Sequence, residues 1–322
     1  MLFIIIFALL FFIPSLIAFD PYTIYTQLNL PSGVLGPDSV TLDRFRGGPY
    51  VAVNDGRVLK YDGSNFQDFA FTSPNRSKNL CDGTKDLNLG PKCGRPFGFS
   101  FNTITGVLYI VDAYLGLFKV GPNGGQATLL ANSANGVPFK FLTGIDVDIP
   151  TGLVYFTDAS TTYSLKDALE GKFPPSDSTG RLLQYDPITR QVKELLKGVP
   201  APVGPAVSID SSFVIFSQFY AQKVVKYWLM GPRTGATDIL LNLPGNPVKV
   251  KRAEKPGEFW VPVNHNFLPS GYKFNSRGDI LLVKDLSKQF VNARVDVIQE
   301  YEEVIIYVGS VEANFVGVFS GW

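Results

Sequence analysis

The chain has 322 residues, 45% of them hydrophobic, which is ample for a large core, and 29 basic against 28 acidic side chains leave a net charge of +1. That balance excludes the basic field by which a protein holds nucleic acid or an anionic membrane. His265 is the only histidine, so a Ser-His-Asp or Cys-His triad would have to use it, and nothing near it resembles a nucleophile elbow.

At the start of the chain, residues 2–13 are an unbroken apolar run, followed by Pro14, Ser15, Ala18 and then the polar Asp20. The run is short for a bilayer span and sits at the extreme N-terminus. It reads as a signal peptide over 1–18, cut near Ala18, with a short signal anchor as the alternative. No later segment is long and apolar enough to span a bilayer.

Beyond residue 19 one strand pattern recurs six times: Tyr50–Val53, Leu108–Val111, Val154–Thr157, Val214–Ser217, Phe259–Pro262 and Ile306–Gly309. The interval is about 45–60 residues, the repeat range of propellers and solenoids. Most runs have a partner before them (Ser39–Asp43, Gly98–Phe101, Gly144–Asp148, Ala206–Asp210). A third run follows (Arg57–Tyr61, Gly116–Val120, Gly180–Tyr185, Lys223–Tyr227). The expectation is an all-β, six-bladed β-propeller with four-stranded blades, forming one domain over 19–322, because a lone blade cannot bury both its faces. The ending Phe315–Trp322 lets the last strand close the ring. A closed ring needs no partner for its edges, so a monomer is expected.

Two insertions interrupt the blades. The first, residues 66–95, is loop-like and holds both cysteines, Cys81 and Cys93, with an N-glycosylation sequon at Asn75-Arg76-Ser77. In a secreted chain the pair invites one disulfide; two free thiols are the other reading. The second, residues 160–179, contains one short helix over Lys166–Glu170, N-capped by Ser164 and stopped by Gly171. Insertions of this kind sit on one rim of a propeller and shape the mouth of its channel, so both are candidates for a lid. Asp43, Asp112, Asp146, Asp148, Asp158 and Asp210 end strands and read as acceptors for turn N–H groups. His265, in Asn264-His265-Asn266, reads as a loop hydrogen-bonder. No glycine-rich phosphate loop joins a strand to a helix.

Several stretches carry a family resemblance: Asp55–Tyr61, Cys93-Gly94-Arg95-Pro96, Leu108–Tyr114, Gly136–Phe141, Thr151–Asp158, Thr179–Leu183 and Lys226–Pro232. They span the mature chain in order, and the chain resembles the plant strictosidine synthase and strictosidine synthase-like family. The resemblance implies a six-bladed propeller, a secretory route to the vacuole or the extracellular space, and a disulfide between the cysteines. It also implies alkaloid-type chemistry. The family's namesake reaction is a Pictet–Spengler condensation of tryptamine with an aldehyde, which uses a carboxylate to manage protons and an aromatic pocket for the amine. The catalytic carboxylate of the family falls on Asp296, shorter by a methylene. Its neighbouring histidine position is Arg294, its pocket tryptophan Phe141 and its tyrosine Thr143, while Phe219 keeps an aromatic wall. Arg294 is expected to pair with Asp296 and hold it ionised. These departures argue against strictosidine itself as the product.

The wider propeller superfamily uses calcium in esterase- or lactonase-like hydrolases, but its ligand positions fall on Thr143, Val203, Val248 and Lys249, which do not suit a hard cation. No metal and no cofactor is therefore expected. The leading expectation is a metal-free catalyst on a small amine, aldehyde or other apolar metabolite. Asp296 is its acid/base group, and Phe141, Thr143, Phe219, Tyr163 and Arg294 are its binding residues. The alternative is a secreted, non-catalytic propeller that binds a small ligand or serves in defence. Nucleic acid, and membrane after signal cleavage, are not expected partners.

Overall fold

The computed structural model describes residues 20–321, so the expected signal peptide over 1–18 lies outside the described residues. Six antiparallel blades follow one another around a ring. The first is Ser39–Thr41, Tyr50–Ala52, Arg57–Tyr61 and Phe66–Phe71, and the second Pro96–Asn102, Val107–Asp112, Gly116–Val120 and Thr128–Ala131. The third is Leu142–Val147, Val154–Asp158, Gly180–Asp186 and Gln191–Val199, and the fourth Pro202–Val207, Phe213–Gln218, Lys223–Trp228 and Thr237–Asn242. In the fifth, an inner strand broken into Asn246–Pro247 and Lys251–Arg252 precedes Glu258–His265, Leu268–Asn275 and Ile280–Asp285. The sixth combines Val297–Tyr301, Ile305–Gly309 and Phe315–Ser320 with Ile24–Asn29. The first strand of each blade packs against the first strand of the next, and the sixth returns to the first, so the ring is closed.

Burial explains why the six repeated runs stood out. They are the second strands, covered on both faces by neighbouring blades; Val51, Ile110, Phe156, Phe216, Trp260 and Val308 are all fully buried. A strand buried on both faces reads as a continuous apolar run rather than as an alternation. Outer strands meet water on one side and are mixed, which hid them in the sequence. Phe66–Phe71 was one of these: it is the outer strand of the first blade, so the first insertion is 72–95 rather than 66–95.

The ring closes differently from expectation. The last strand, Phe315–Ser320, is third in its blade, and Ile24–Asn29 pairs along it from Ile24 opposite Ser320 to Asn29 opposite Phe315. Tyr22 anchors this N-terminal strand. Its ring lies edge-on to Trp260 at 5.9 Å, and its hydroxyl donates to buried Glu300. Lys284 Nζ donates to the Tyr22 carbonyl at 2.5 Å and pairs with Asp20 at 2.6 Å.

Two details depart from uniform four-stranded blades: the broken inner strand of the fifth, and a short parallel strand, Gly125–Gln126, added to the first. The disulfide loop is not loop-like throughout, since Lys78–Cys81 and Gly90–Cys93 each make one helical turn. Cys81 and Cys93 are bonded. The helix of the second insertion spans Leu165–Leu169. The Ser164 side chain accepts from the Asp167 N–H while the Asp167 carboxylate accepts from the Ser164 N–H, a full capping box.

The inner strands crowd at the waist of the channel. A Cβ on Gly144 would lie 2.4 Å from Gly204 Cα, and one on Gly204 2.5 Å from Lys249 Cα. Only residues without a side chain let three successive blades meet backbone to backbone, and the channel narrows there into two separate mouths.

Candidate functional site

On one face of the ring the chain passes from each outer strand to the next inner strand, and from the second strand to the third. Both insertions emerge on that face. The mouth between them is a cavity of about 110 Å³ in which residues far apart in sequence converge.

Asp296 immediately precedes the inner strand of the sixth blade and lines this cavity, with 8% of its surface exposed. The Val311 N–H donates to its Oδ2 at 2.6 Å, while Oδ1 accepts from no protein donor among the described residues. Burial pushes its carboxyl above the ordinary carboxylate range, against the opposing pull of Lys249 and then Arg294. The expected Arg294–Asp296 ion pair is absent. Arg294 turns outward and pairs with Glu312 at 3.2 Å, its backbone N–H donating to the same carboxylate at 2.7 Å. The competing acid was twelve or more residues downstream, beyond any local reading.

A charged layer lies below. Lys249 is 1% exposed; its Nζ donates to the Asp38 carbonyl at 2.7 Å, stands 3.9 Å from Asp38 Oδ2, and sits 4.2 Å over the Phe97 ring. Asp38 also takes Arg95 Nη2 at 3.0 Å. Burial pushes the Asp38 carboxyl up to about 6 although both cations pull it down. Burial likewise lowers the Lys249 ammonium below the usual lysine range. These charges support one another where none could stand alone.

The walls are aromatic. Phe97 and Phe141 lie 5.7 Å apart, Phe141 and Phe173 6.2 Å, Phe173 and Tyr220 5.4 Å, and Tyr220 and Phe219 5.1 Å. Leu165 and Ala168 of the short helix cover them. Buried carboxylates at strand ends set these walls. Asp158 pairs with Arg181 at 2.6 Å and accepts from the Phe141 N–H at 3.0 Å; Asp112 accepts from the Arg95 N–H at 2.6 Å. The Tyr220 hydroxyl donates to the Phe173 carbonyl at 2.8 Å.

Of the residues singled out in the sequence, Asp296, Phe141, Thr143, Phe219 and Arg294 come together here. Tyr163 does not line the cavity; it stacks behind Phe173 at 5.6 Å and braces it. Sequence reasoning missed Phe97, Phe173 and Tyr220. An aromatic directly before Pro174-Pro175, beyond the end of the short helix, was the available signal for Phe173. Asn75 is exposed in the first insertion, and the disulfide loop touches the helix where Lys166 Nζ donates to Asn88 Oδ1 at 2.6 Å. His265 ends a strand at the surface, its Nδ1 bonded to the Pro244 carbonyl at 2.6 Å.

A calcium ion needs several convergent oxygen donors. At the positions where the superfamily would place them, the side chains of Val203 and Val248 offer none. The Thr143 hydroxyl is held by the Pro202 carbonyl at 2.9 Å and by Thr157, and Lys249 brings a positive charge. The residues present do not fit such an ion.

The opposite mouth is polar. Asp146 pairs with Arg252 at 2.6 Å and accepts from Ser100 at 3.2 Å and from the Val207 N–H at 2.9 Å, beside Lys251 and Gln299 in a cavity of about 120 Å³. Its acids are matched and its walls carry no cluster of rings.

Similarity to known proteins extends over most of the chain. The profile of the strictosidine synthase family matches residues 143–232. The chain is 38% identical to strictosidine synthase of Catharanthus roseus over 306 residues, covering 92% of this chain and 86% of that one. It is also 38% identical to strictosidine synthase-like protein 12 of Arabidopsis thaliana, covering 91% and 89%. Among solved structures it is similar to a gluconolactonase from Xanthomonas campestris, with a TM-score of 0.66 at 12% identity over 92% and 90% of the chains. A calcium-binding regucalcin from Agrobacterium tumefaciens follows, with a TM-score of 0.62 at 12% identity over 92% and 93%. These last two likenesses concern the fold alone.

Proposed function

Because the chain belongs to the strictosidine synthase family, we propose that it is a catalyst of secondary, alkaloid-type metabolism that works on a small amine or aldehyde-type metabolite in the aromatic mouth, with Asp296 as its acid/base group. The observation that carries this reading is a buried carboxylate with one oxygen free, facing a cavity walled by five aromatic rings.

The chemistry follows from that geometry. An ammonium entering the mouth finds one negative group at bonding reach and rings on which to pack. Burial raises the affinity of the carboxylate for protons, so it can take one from the ammonium and free the nitrogen lone pair. The nitrogen then attacks the aldehyde carbon, the protonated carboxyl gives its proton to the hydroxyl so formed, which leaves as water, and an electron-rich ring carbon closes on the iminium. The ring carbon's proton returns to the carboxylate. This is a lyase-type condensation of the Pictet–Spengler kind, and Lys249 and Arg95 in the charged layer oppose a metal ion at the floor. Strictosidine itself is not the proposed product, since Phe141, Thr143 and Arg294 reshape the pocket. The proposal includes a secretory route to the vacuole or the cell exterior, a cleaved signal over 1–18, a glycan on Asn75 and a monomeric state. The disulfide, which belongs to oxidising compartments, supports that route.

The test is to incubate the purified chain with a panel of aryl-ethylamines and aldehydes, tryptamine and secologanin included, and follow condensation products by mass spectrometry beside Asp296→Ala. Products that vanish in the variant support the reading. Products made equally by the variant remove Asp296 from the chemistry, and none from any pair leaves the mouth as a ligand-binding site only.

A further inference from the structure

We propose that Arg294 makes this mouth selective for an aromatic amine that also carries a carboxylate, an aryl α-amino acid in type, over the corresponding plain amine. This rests on the reading of Asp296 as the group that meets the amine.

The argument begins with charge. A pocket built for a plain ammonium gains from a carboxylate and loses from any nearby cation. Here Asp296 and Arg294 line the same cavity, two residues apart just before the inner strand of the sixth blade. Two residues of chain span at most roughly 7 Å along the backbone. That spacing presents a negative and a positive group side by side, complementary to an ammonium and a carboxylate on one carbon.

Arg294 is also available. Its side chain is 35% exposed, and Glu312 engages it through Nε at 3.3 Å and Nη2 at 3.2 Å. Nη1 has no acceptor among the described residues. The Glu312 carboxylate is itself 37% exposed, and an exposed pair of this kind contributes little in water. A ligand carboxylate can therefore take Nη1, or displace Glu312, at small cost, and guanidinium is the side chain best shaped to hold it. The third element is size: the cavity of about 110 Å³ is on the scale of the engineered cavity of roughly 150 Å³ that accepts benzene. One aryl ring fills it, and the head group is left at the rim where Arg294 and Asp296 stand.

The experiment is calorimetric titration of the full chain near neutral pH with L-phenylalanine and phenethylamine, repeated with L-tryptophan and tryptamine. Wild type, Arg294→Gln and Asp296→Asn are compared, each checked for folding by thermal melt. The expected result is that the amino acid binds about tenfold tighter than its amine, that this preference collapses to about one in Arg294→Gln, and that both ligands weaken in Asp296→Asn. An amine that binds as tightly as its amino acid, or a preference that survives in Arg294→Gln, overturns the inference. If the amine still depends on Asp296 in that case, the functional reading stands without it. Binding of neither compound overturns both.

Discussion

At the mouth beneath the short helix, the channel ends in a carboxylate with one free oxygen among aromatic rings. At the opposite mouth it ends in Asp146, held by an arginine, a serine and a backbone N–H, with no such rings. The same six blades build both ends, and both acids stand on inner strands or at their edge. The difference lies in what the connections supply. One face receives the two long insertions, which bring Phe173, Leu165 and the disulfide loop over the channel. The other receives shorter connections, which leave its acid to polar neighbours. The acid enclosed by apolar walls has its carboxyl pushed upward by burial, whereas the other is engaged by a base and its neighbours.

The strongest way to break the contrast is at the waist that separates the two mouths. Lys249→Met leaves Asp38 and Asp296 facing each other across a buried layer with one fewer cation, and about 3–5 kcal/mol of stability is expected to be lost. A denaturant titration with an unchanged midpoint would mean that the layer is not a charge system. Removing the staple of the decorated face comes next. The Cys81–Cys93 bond closes a loop of sequence separation 12, and the double serine variant is expected to lose about 3 kcal/mol, read by melting with and without reductant. If the bond is only an ornament, reduction will not move the melt.

Asp296→Asn separates function from stability. Ligand binding at the aromatic mouth is expected to fall at least about tenfold, or roughly 1.4 kcal/mol, while the fold is not weakened. The sign follows from burial. The folded carboxyl titrates above its unfolded value, so the folded state binds the proton more tightly and the wild type loses stability as pH rises through that window. Ligand affinity moves the other way, since an ammonium needs the ionised carboxylate: it rises with pH from about 4 through the raised value. Asp296→Asn is expected to flatten the affinity profile and to leave a stability profile to which Asp38 still contributes, and a pH-dependent affinity that persists in it would assign the titration elsewhere. The smallest effect is expected at the opposite mouth. Arg252→Met removes a partly exposed cation from the buried Asp146, which keeps Ser100 and the Val207 N–H, and is expected to cost about 1 kcal/mol, with no change in binding at the aromatic mouth. A change in binding there would mean that the two mouths communicate through the waist.

The repeat and the helix were legible because they are written locally. Strands buried on both faces leave apolar runs at even intervals, and Ser164 and Gly171 bracket a helix three residues apart from their partners. The family resemblance also located Asp296, Phe141 and Phe219. What the sequence could not convey is which side chains meet. Arg294 has Asp296 two residues away and yet pairs with Glu312, because the turn after Gly309 returns that acid to its side. The N-terminal strand, not the last one, completes the ring, because it pairs along the otherwise open edge of the sixth blade. The rings of Phe97, Phe173 and Tyr220 share a wall although more than a hundred residues separate the first from the last. Periodicity and capping depend on neighbours along the chain, so the sequence alone determined the blades and the lid helix. Burial, charge pairing and the shape of the mouth depend on neighbours across it, so only the closed ring decided them.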